Sequence, residues 1–296
     1  MKTTPLLLYI VLLLPFFGPA SASSSDLNQE NIINWYRADF PPVSIPRGDH
    51  ADQGFFDKTM TFLIERLPEY ETQFHIGNFK RIMAEIKHKR NVCCPSLYKT
   101  KERESFVTFS TAAMVVLPNG VITSERSRNK LATHIDKDGR ISLTSLLQDS
   151  NINIGINSGR IYSGGIDQIL NQASGQKNLL VRSGDDVFWG LIKMMHMGRI
   201  DCLIGYPVNA GYFVRENNKL HDFIYHPIKE SNVTFTVGHI GCPNNEWGKQ
   251  VIHKVDEIVK KYRTTEFIDF YGEWLDDATR AVHRQMAEEY FKTLPQ

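Results

Sequence analysis

A single arginine set just after an apolar strand is the first place in this chain where residue type and spacing could do chemistry. From Asn91 to Ser110 the sequence runs Asn-Val-Cys-Cys-Pro-Ser-Leu-Tyr-Lys-Thr-Lys-Glu-Arg-Glu-Ser-Phe-Val-Thr-Phe-Ser. Val92 to Cys94 reads as a short strand stopped by Pro95. A polar turn carrying Arg103 follows, and Phe106, Val107 and Phe109 read as the next strand. Open α/β sheets bind ligands at the carboxyl ends of their strands, and a guanidinium placed there can grip a carboxylate through two parallel hydrogen bonds. The chemistry on offer is anion binding. Without a supporting frame, the same residue would be an ordinary surface charge in a Lys/Glu-rich turn.

That frame must come from elements that alternate. Ile32 to Tyr36 reads as a strand, ended by Asp39-Phe40-Pro41-Pro42-Val43 because consecutive prolines cannot continue a central ladder. Phe56, Met60, Leu63, Ile64 and Leu67 recur at helical spacing, Phe74 and Ile76 mark a strand, and Phe79, Ile82, Met83 and Ile86 mark a second amphipathic helix. After Val115-Val116-Leu117 the turn Pro118-Asn119-Gly120 could serve as a crossing between lobes. A second alternation then begins, with strands at Ile152 to Ile156, Leu179 to Val181, Ile200 to Ile204 and Phe223 to Tyr225. Helices are expected at Ile161 to Ala173 and Asp186 to Met197, the latter with a start signal in Ser183 and Asp186. Val233 to Val237 reads as a strand leading back, and Trp247 to Tyr262 as a long helix. Phe267 to Phe291 reads as helical, with Trp274, Ala278, Ala281, Val282 and Met286 inward. This order predicts mostly parallel sheets flanked by helices, in two similar lobes, the first interrupted by the second.

Composition narrows the function classes. At 296 residues, 42% hydrophobic and 23% charged, the chain has ordinary globular character and room for two modest domains. A formal net charge of +1 without a basic cluster argues against a nucleic-acid partner. Met1 to Ala22 has a basic Lys2, an apolar run from Leu6 to Phe17 and the ending Ala20-Ser21-Ala22, the pattern of a cleaved secretory signal peptide. The run is shorter than the ~20 residues that span a bilayer. Four cysteines, Cys93, Cys94, Cys202 and Cys242, carry no metal-site spacing, and no cofactor is expected. In an oxidising compartment a disulfide to Cys242 from Cys94, or from its neighbour Cys93, is expected, with buried free thiols as the alternative. His134, His196, His221, His239 and His253 are scattered, with no nucleophile signature beside them.

The ordered series resembles extracellular solute-binding proteins of the polar amino-acid type (family 3), within the type II periplasmic-binding-protein superfamily. The resemblance runs from about Ile32 to Tyr290 and rests on weak matches in sequence: Asp39-Phe40-Pro41-Pro42-Val43, the stretch Thr100 to Ser110, Gly155-Ile156-Asn157-Ser158-Gly159-Arg160, and Gly198-Arg199-Ile200-Asp201. Asn-Val-Cys-Cys-Pro at Asn91, with Gly241-Cys242-Pro243 and Glu246-Trp247-Gly248, points to a poorly characterised branch. It implies a two-lobed fold with hinge crossings, residues 27–114 and 237–296 forming lobe 1 and 115–236 lobe 2. By this likeness Arg103 clamps a carboxylate, Ser96, Ser158 and Gly159 supply amides, and Phe40, Tyr98 and Tyr206 form walls. Tyr206 stands where amino-acid binders place the acid for the ligand's ammonium group, and Asp201 belongs to the scaffold. The implied protein is a periplasmic monomer that closes on a small solute and passes it to an ABC permease or a membrane sensor. An orphan ligand-sensing domain without a transporter is the alternative, and a secreted dehydratase on the same fold the weaker, enzymatic one. Asn232-Val233-Thr234 matches a glycosylation acceptor that the bacterial character of the resemblance leaves unused.

Overall fold

The computed structural model describes residues 31–88, 91–184, 187–216 and 223–295. The expected leader Met1 to Ala22, the helix-start residue Asp186 and His221 lie outside them.

Two sheets organise the chain. The first contains β1 (Ile32–Arg37), β2 (Glu71–Ile76), β3 (Val92–Leu97), β4 (Val107–Phe109), β5 (Met114–Val116) and β11 (Thr236–Pro243). The second contains β6 (Gly120–Ser124), β7 (Ile154–Asn157), β8 (Leu179–Arg182), β9 (Cys202–Gly205) and β10 (Phe223–Pro227). The strand order is β2-β1-β3-β11-β4 in the first, with β5 also on β11, and β10-β6-β9-β7-β8 in the second. β1, β2 and β3 run parallel because the helices Phe55–Ile64 and Phe79–His88 make their crossovers. β11 returns antiparallel beside β3, β4 and β5. The chain leaves the first sheet through residues 117–119 and comes back through 228–235. At the first crossing Gly120 is obligatory: a Cβ there would meet His226 O and a Tyr225 ring carbon, each at 2.4 Å.

Side-chain alternation decides which cysteine is bridged. The disulfide joins Cys93 to Cys242, not Cys94 to Cys242, while Cys94 and Cys202 are buried free thiols. Successive residues of a strand face opposite sides. Cys93 points into the core that holds Trp35 and Cys242, and Cys94 points the other way, among Tyr36, Ile82 and Ile86.

Pro95 does not stop β3. The β1 pairing covers only Val92 and Cys93, and the β11 register shifts between His239 and Gly241, opposite Leu97 and Cys94. The proline therefore sits at a bulge, where its missing N–H disrupts no regular ladder.

The C-terminal region is two helices, Glu266–Gly272 and Asp277–Lys292, the second capped by Asp276 accepting from Thr279 N at 3.0 Å. Its inward face differs from the expected one. Ala281 is exposed and Val282 is 61% exposed, whereas His283, Ala287 and Phe291, spaced four apart, are buried. The Tyr271 ring lies 4.4 Å from that of His283, tilted against it, and draws that face in. Trp274 is buried and Met286 half-buried, as expected.

One hydrophobic cluster runs from Ile33 and Trp35 of the first sheet through Phe40, Phe188 and Tyr206 to Ile122 and Leu203 of the second. The two halves are thus packed against each other across their interface. Among the described residues no helix is long and apolar enough to cross a membrane.

Candidate functional site

The carboxyl end of β3 opens on a cavity of about 500 Å³, measured with its mouth, between the two sheets. Phe40, Phe79, Ser96, Tyr98 and Arg103 enter it from the first-sheet side. Arg160, Ile161 and Tyr206 enter from the second.

Arg103 lies in a single helical turn, Lys101–Glu104, whose N-cap Thr100 accepts a hydrogen bond from Arg103 N at 3.3 Å. The turn folds the side chain back under the strand end. There it is 7% exposed, and Nη1 donates to Tyr98 O at 3.1 Å. Burial lowers its pKa from the ordinary arginine value, partly offset by Cys94, Glu102 and Asp167, and it stays cationic across the physiological range.

Phe40 is presented by the loop after β1, which Asp57 anchors by accepting from Arg37 Nη1, Ser44 Oγ and Ile45 N, each at 2.6 Å. Its ring packs edge-on to Phe188 at 4.7 Å and lies 6.0 Å from Tyr206. Tyr206 follows β9; Asn209 Oδ1 holds its backbone N–H at 2.7 Å, and Asn209 Nδ2 donates across to Pro41 O.

The phenols of Tyr98 and Tyr206 meet across the cleft at 2.5 Å, and Tyr98 Oη also reaches Thr236 Oγ1 at 2.8 Å. Burial pushes the Tyr98 pKa well above that of an ordinary phenol. The position that could have held an acid is therefore one half of a neutral hydrogen-bonded pair joining the two sides.

The second-sheet turn departs from expectation. Ser158 N is already spent on Arg182 O at 2.8 Å, and the next helix begins only at Ile166, so no free helix-end amides gather at Ser158 and Gly159. Neither residue lines the cavity; Gly159 instead lies against Lys80, whose Cγ a Cβ there would meet at 2.6 Å. Their neighbour Arg160 lines it in their place, and nothing in the local spacing of Gly155 to Arg160 marks it as the residue that faces the cleft. Its guanidinium lies 4.4 Å from the Phe40 ring centre, 4.5 Å from Tyr162 and 4.8 Å from Tyr206. Nη2 donates to Asn119 Oδ1 at 2.6 Å and Nη1 to Ile204 O at 3.3 Å. Burial works against its charge, and the oxygens of Tyr206, Tyr162 and Tyr98 more than offset that, leaving its pKa above the ordinary value.

Asp201 accepts from Lys130 Nζ at 2.7 Å and Asn153 N at 2.8 Å, a scaffold role away from the cavity lining. His134 is less isolated than its sequence neighbours suggest: Nδ1 meets Ser145 Oγ at 2.7 Å and Nε2 meets Asp149 Oδ2 at 3.3 Å, tying the segment before Ile135 to the helix Leu143–Gln148. No group of three or more His, Cys, Asp or Glu among the described residues could hold a metal ion.

No family model and no curated protein matches the chain. Solved structures do resemble it. An amino acid ABC transporter substrate-binding protein from Streptococcus pneumoniae bound to L-arginine superposes at a TM-score of 0.61 with 16% identity, over 84% of this chain and 97% of its own. The periplasmic VFT2 domain of Bordetella pertussis BvgS gives 0.59 at 12%, over 85% and 96%. An ancestral amino-acid-binding protein, a precursor of cyclohexadienyl dehydratase, gives 0.60 at 13%, over 85% and 98%. Likeness at such identities establishes the fold, which is the two-lobed α/β architecture of periplasmic binding proteins.

Proposed function

We propose that the protein is an exported solute receptor that closes on a small carboxylate-bearing solute for ABC-type uptake. The observation that carries this reading is Arg103: a buried guanidinium at a strand end, facing a cleft walled by both sheets and bonded within the chain only to a backbone carbonyl among the described residues. Such a group is poised to receive a carboxylate. Ser96 and Tyr98 sit beside it, and Phe40 and Tyr206 close the far wall.

Residues 27–114 with 237–296 would move as one lobe against 115–236, with ligand contacts from both sides favouring the closed form. The permease partner, the export through Met1 to Ala22, the monomeric state and the periplasmic address are parts of the same proposal. Its support is the shared fold with proteins whose names record ABC-transporter and periplasmic roles. The lining offers arginine, tyrosine and serine as its polar groups, and the raised pKa of Tyr98 makes it a poor proton acceptor near neutral pH, which favours binding over proton-transfer chemistry.

A thermal-shift screen of the purified protein against small carboxylates and amino acids, with Arg103→Ala alongside, tests the reading. A ligand at 100 times its Kd adds about 2.7 kcal/mol of stability, a shift of several degrees. The expected result is a shift with a carboxylate that vanishes in Arg103→Ala. A folded variant that keeps the full shift removes Arg103 from the site.

A further inference from the structure

Two cations face one cavity, and no described residue pairs with either as an anion. Arg103 and Arg160 are 7% and 8% exposed, and their hydrogen bonds go to neutral acceptors, Tyr98 O for the first, Asn119 Oδ1 and Ile204 O for the second. Among the described residues no carboxylate lies within ion-pair distance of either. Glu102 and Asp167 act on Arg103 only from farther off, and Asp167 is occupied by the backbone N–H groups of Tyr162 and Ser163. Buried charges are ordinarily paired, because an isolated ion loses far more hydration than a few neutral dipoles return. The missing counter-charge therefore belongs to whatever fills the cavity.

The same lining says what the occupant lacks. An α-ammonium group needs an acid, and the described lining residues include none. Tyr206 and Tyr98 satisfy each other instead. A ligand ammonium would add a third positive charge to a site holding two, which selects against it.

Resting on the receptor reading above, we propose that the cleft takes an ammonium-free solute with two anionic groups, a dicarboxylate being the simplest, held by Arg103 at one end and Arg160 at the other. Phe40, Phe79, Tyr98 and Tyr206 around the space suit an apolar or planar middle. The two arginines come from opposite sides of the cleft, so the second anion does more than add affinity. It ties the lobes together, and the closed form is where both ends are satisfied at once.

Calorimetric titration with matched probes tests this. The series is glutarate, butyrate and glutamate, with isophthalate and benzoate as the planar pair. A dicarboxylate is expected to bind at least about tenfold tighter than its monocarboxylate, the size of effect one good ion pair supplies. Glutamate is expected to bind more weakly than glutarate. Arg160→Gln should bring the dicarboxylate down to the level of its monocarboxylate and leave the latter unchanged, with Arg160→Lys between. Should Arg160→Gln not fold, the wild-type series decides alone. Glutamate binding as tightly as glutarate, or monocarboxylates as tightly as dicarboxylates, overturns the proposal. Monocarboxylates that bind as tightly as dicarboxylates, with binding lost in Arg103→Ala, would sink the dianion and keep the receptor. Absence of binding by every probe would sink both.

Discussion

Arg37, at the end of β1, and Arg103, in the cleft, are buried in opposite ways. Arg37, 7% exposed like Arg103, donates to Asp57 at 2.6 Å and to Asp52 at 2.5 Å. Burial alone would lower its pKa, and those two carboxylates raise it above the ordinary value; for Arg103 burial wins and the pKa falls. Asp57 is fully buried and also accepts from Ser44, Ile45 and Gly54, so the charge of Arg37 is paired within the fold. In the cleft the described residues supply cations and no anion. A charge the fold balances for itself is architecture, and a charge it leaves unbalanced in a cavity is an invitation to a ligand.

The sharpest way to break the comparison is to remove one side of the balanced pair. Asp57→Ala should cost about 3–5 kcal/mol in urea unfolding, since it leaves Arg37 only the exposed Asp52 and frees the Phe40 loop. Arg103→Ala in the absence of ligand should change stability by less than about 1 kcal/mol, because no ion pair is lost. Equal losses in both variants would end the distinction.

The strut behind the cleft comes next. Cys93 and Cys242 close a loop across 149 residues, and replacing both by serine should cost roughly 2–5 kcal/mol in unfolding free energy. Peptide mapping of the oxidised protein should recover the Cys93–Cys242 pair, with Cys94 and Cys202 alkylated only after unfolding.

A smaller effect is expected at the neutral pair. Tyr98→Phe removes the bonds to Tyr206 and Thr236 and should lower stability by about 1 kcal/mol, the usual worth of such bonds. It should leave carboxylate binding dependent on Arg103. Loss of binding equal to that of Arg103→Ala would mean that the phenols, not the cations, hold the ligand.

The smallest is a pH effect far from the cleft. Burial lowers the pKa of His283 below its ordinary 6.5, and Nε2 meets Val115 O at 2.8 Å. The unfolded chain therefore binds the proton more readily, and this contribution is complete above about pH 6.5 and declines as the pH falls below it. The Tm of His283→Gln should fall less between pH 8 and pH 5 than that of the parent protein.

Much of the frame was legible along the chain. The strand from Ile32, the helical spacing of Phe56, Met60 and Leu63, and the placing of Arg103 after β3 all appear where expected, because each depends on residues a few positions apart. The failures share a different origin. Pro95 remains within β3 because it falls at a bulge in the pairing with β11, more than 140 residues away. Val282 faces out because Tyr271 captures His283. Ser158 lacks a free amide because Arg182 uses it.

The sequence by itself determined the alternating elements, the crossing between the two sheets near Asn119 and the presence of an arginine at a strand end, since local periodicity and turn chemistry are written in neighbouring residues. Only the tertiary structure decided that Cys93 rather than Cys94 is bridged, that Tyr98 meets Tyr206 across 108 residues, and that Arg160 joins Arg103 at one cavity. Those meetings depend on strand register and on how two sheets pack, and no spacing within either segment encodes which surfaces will face each other.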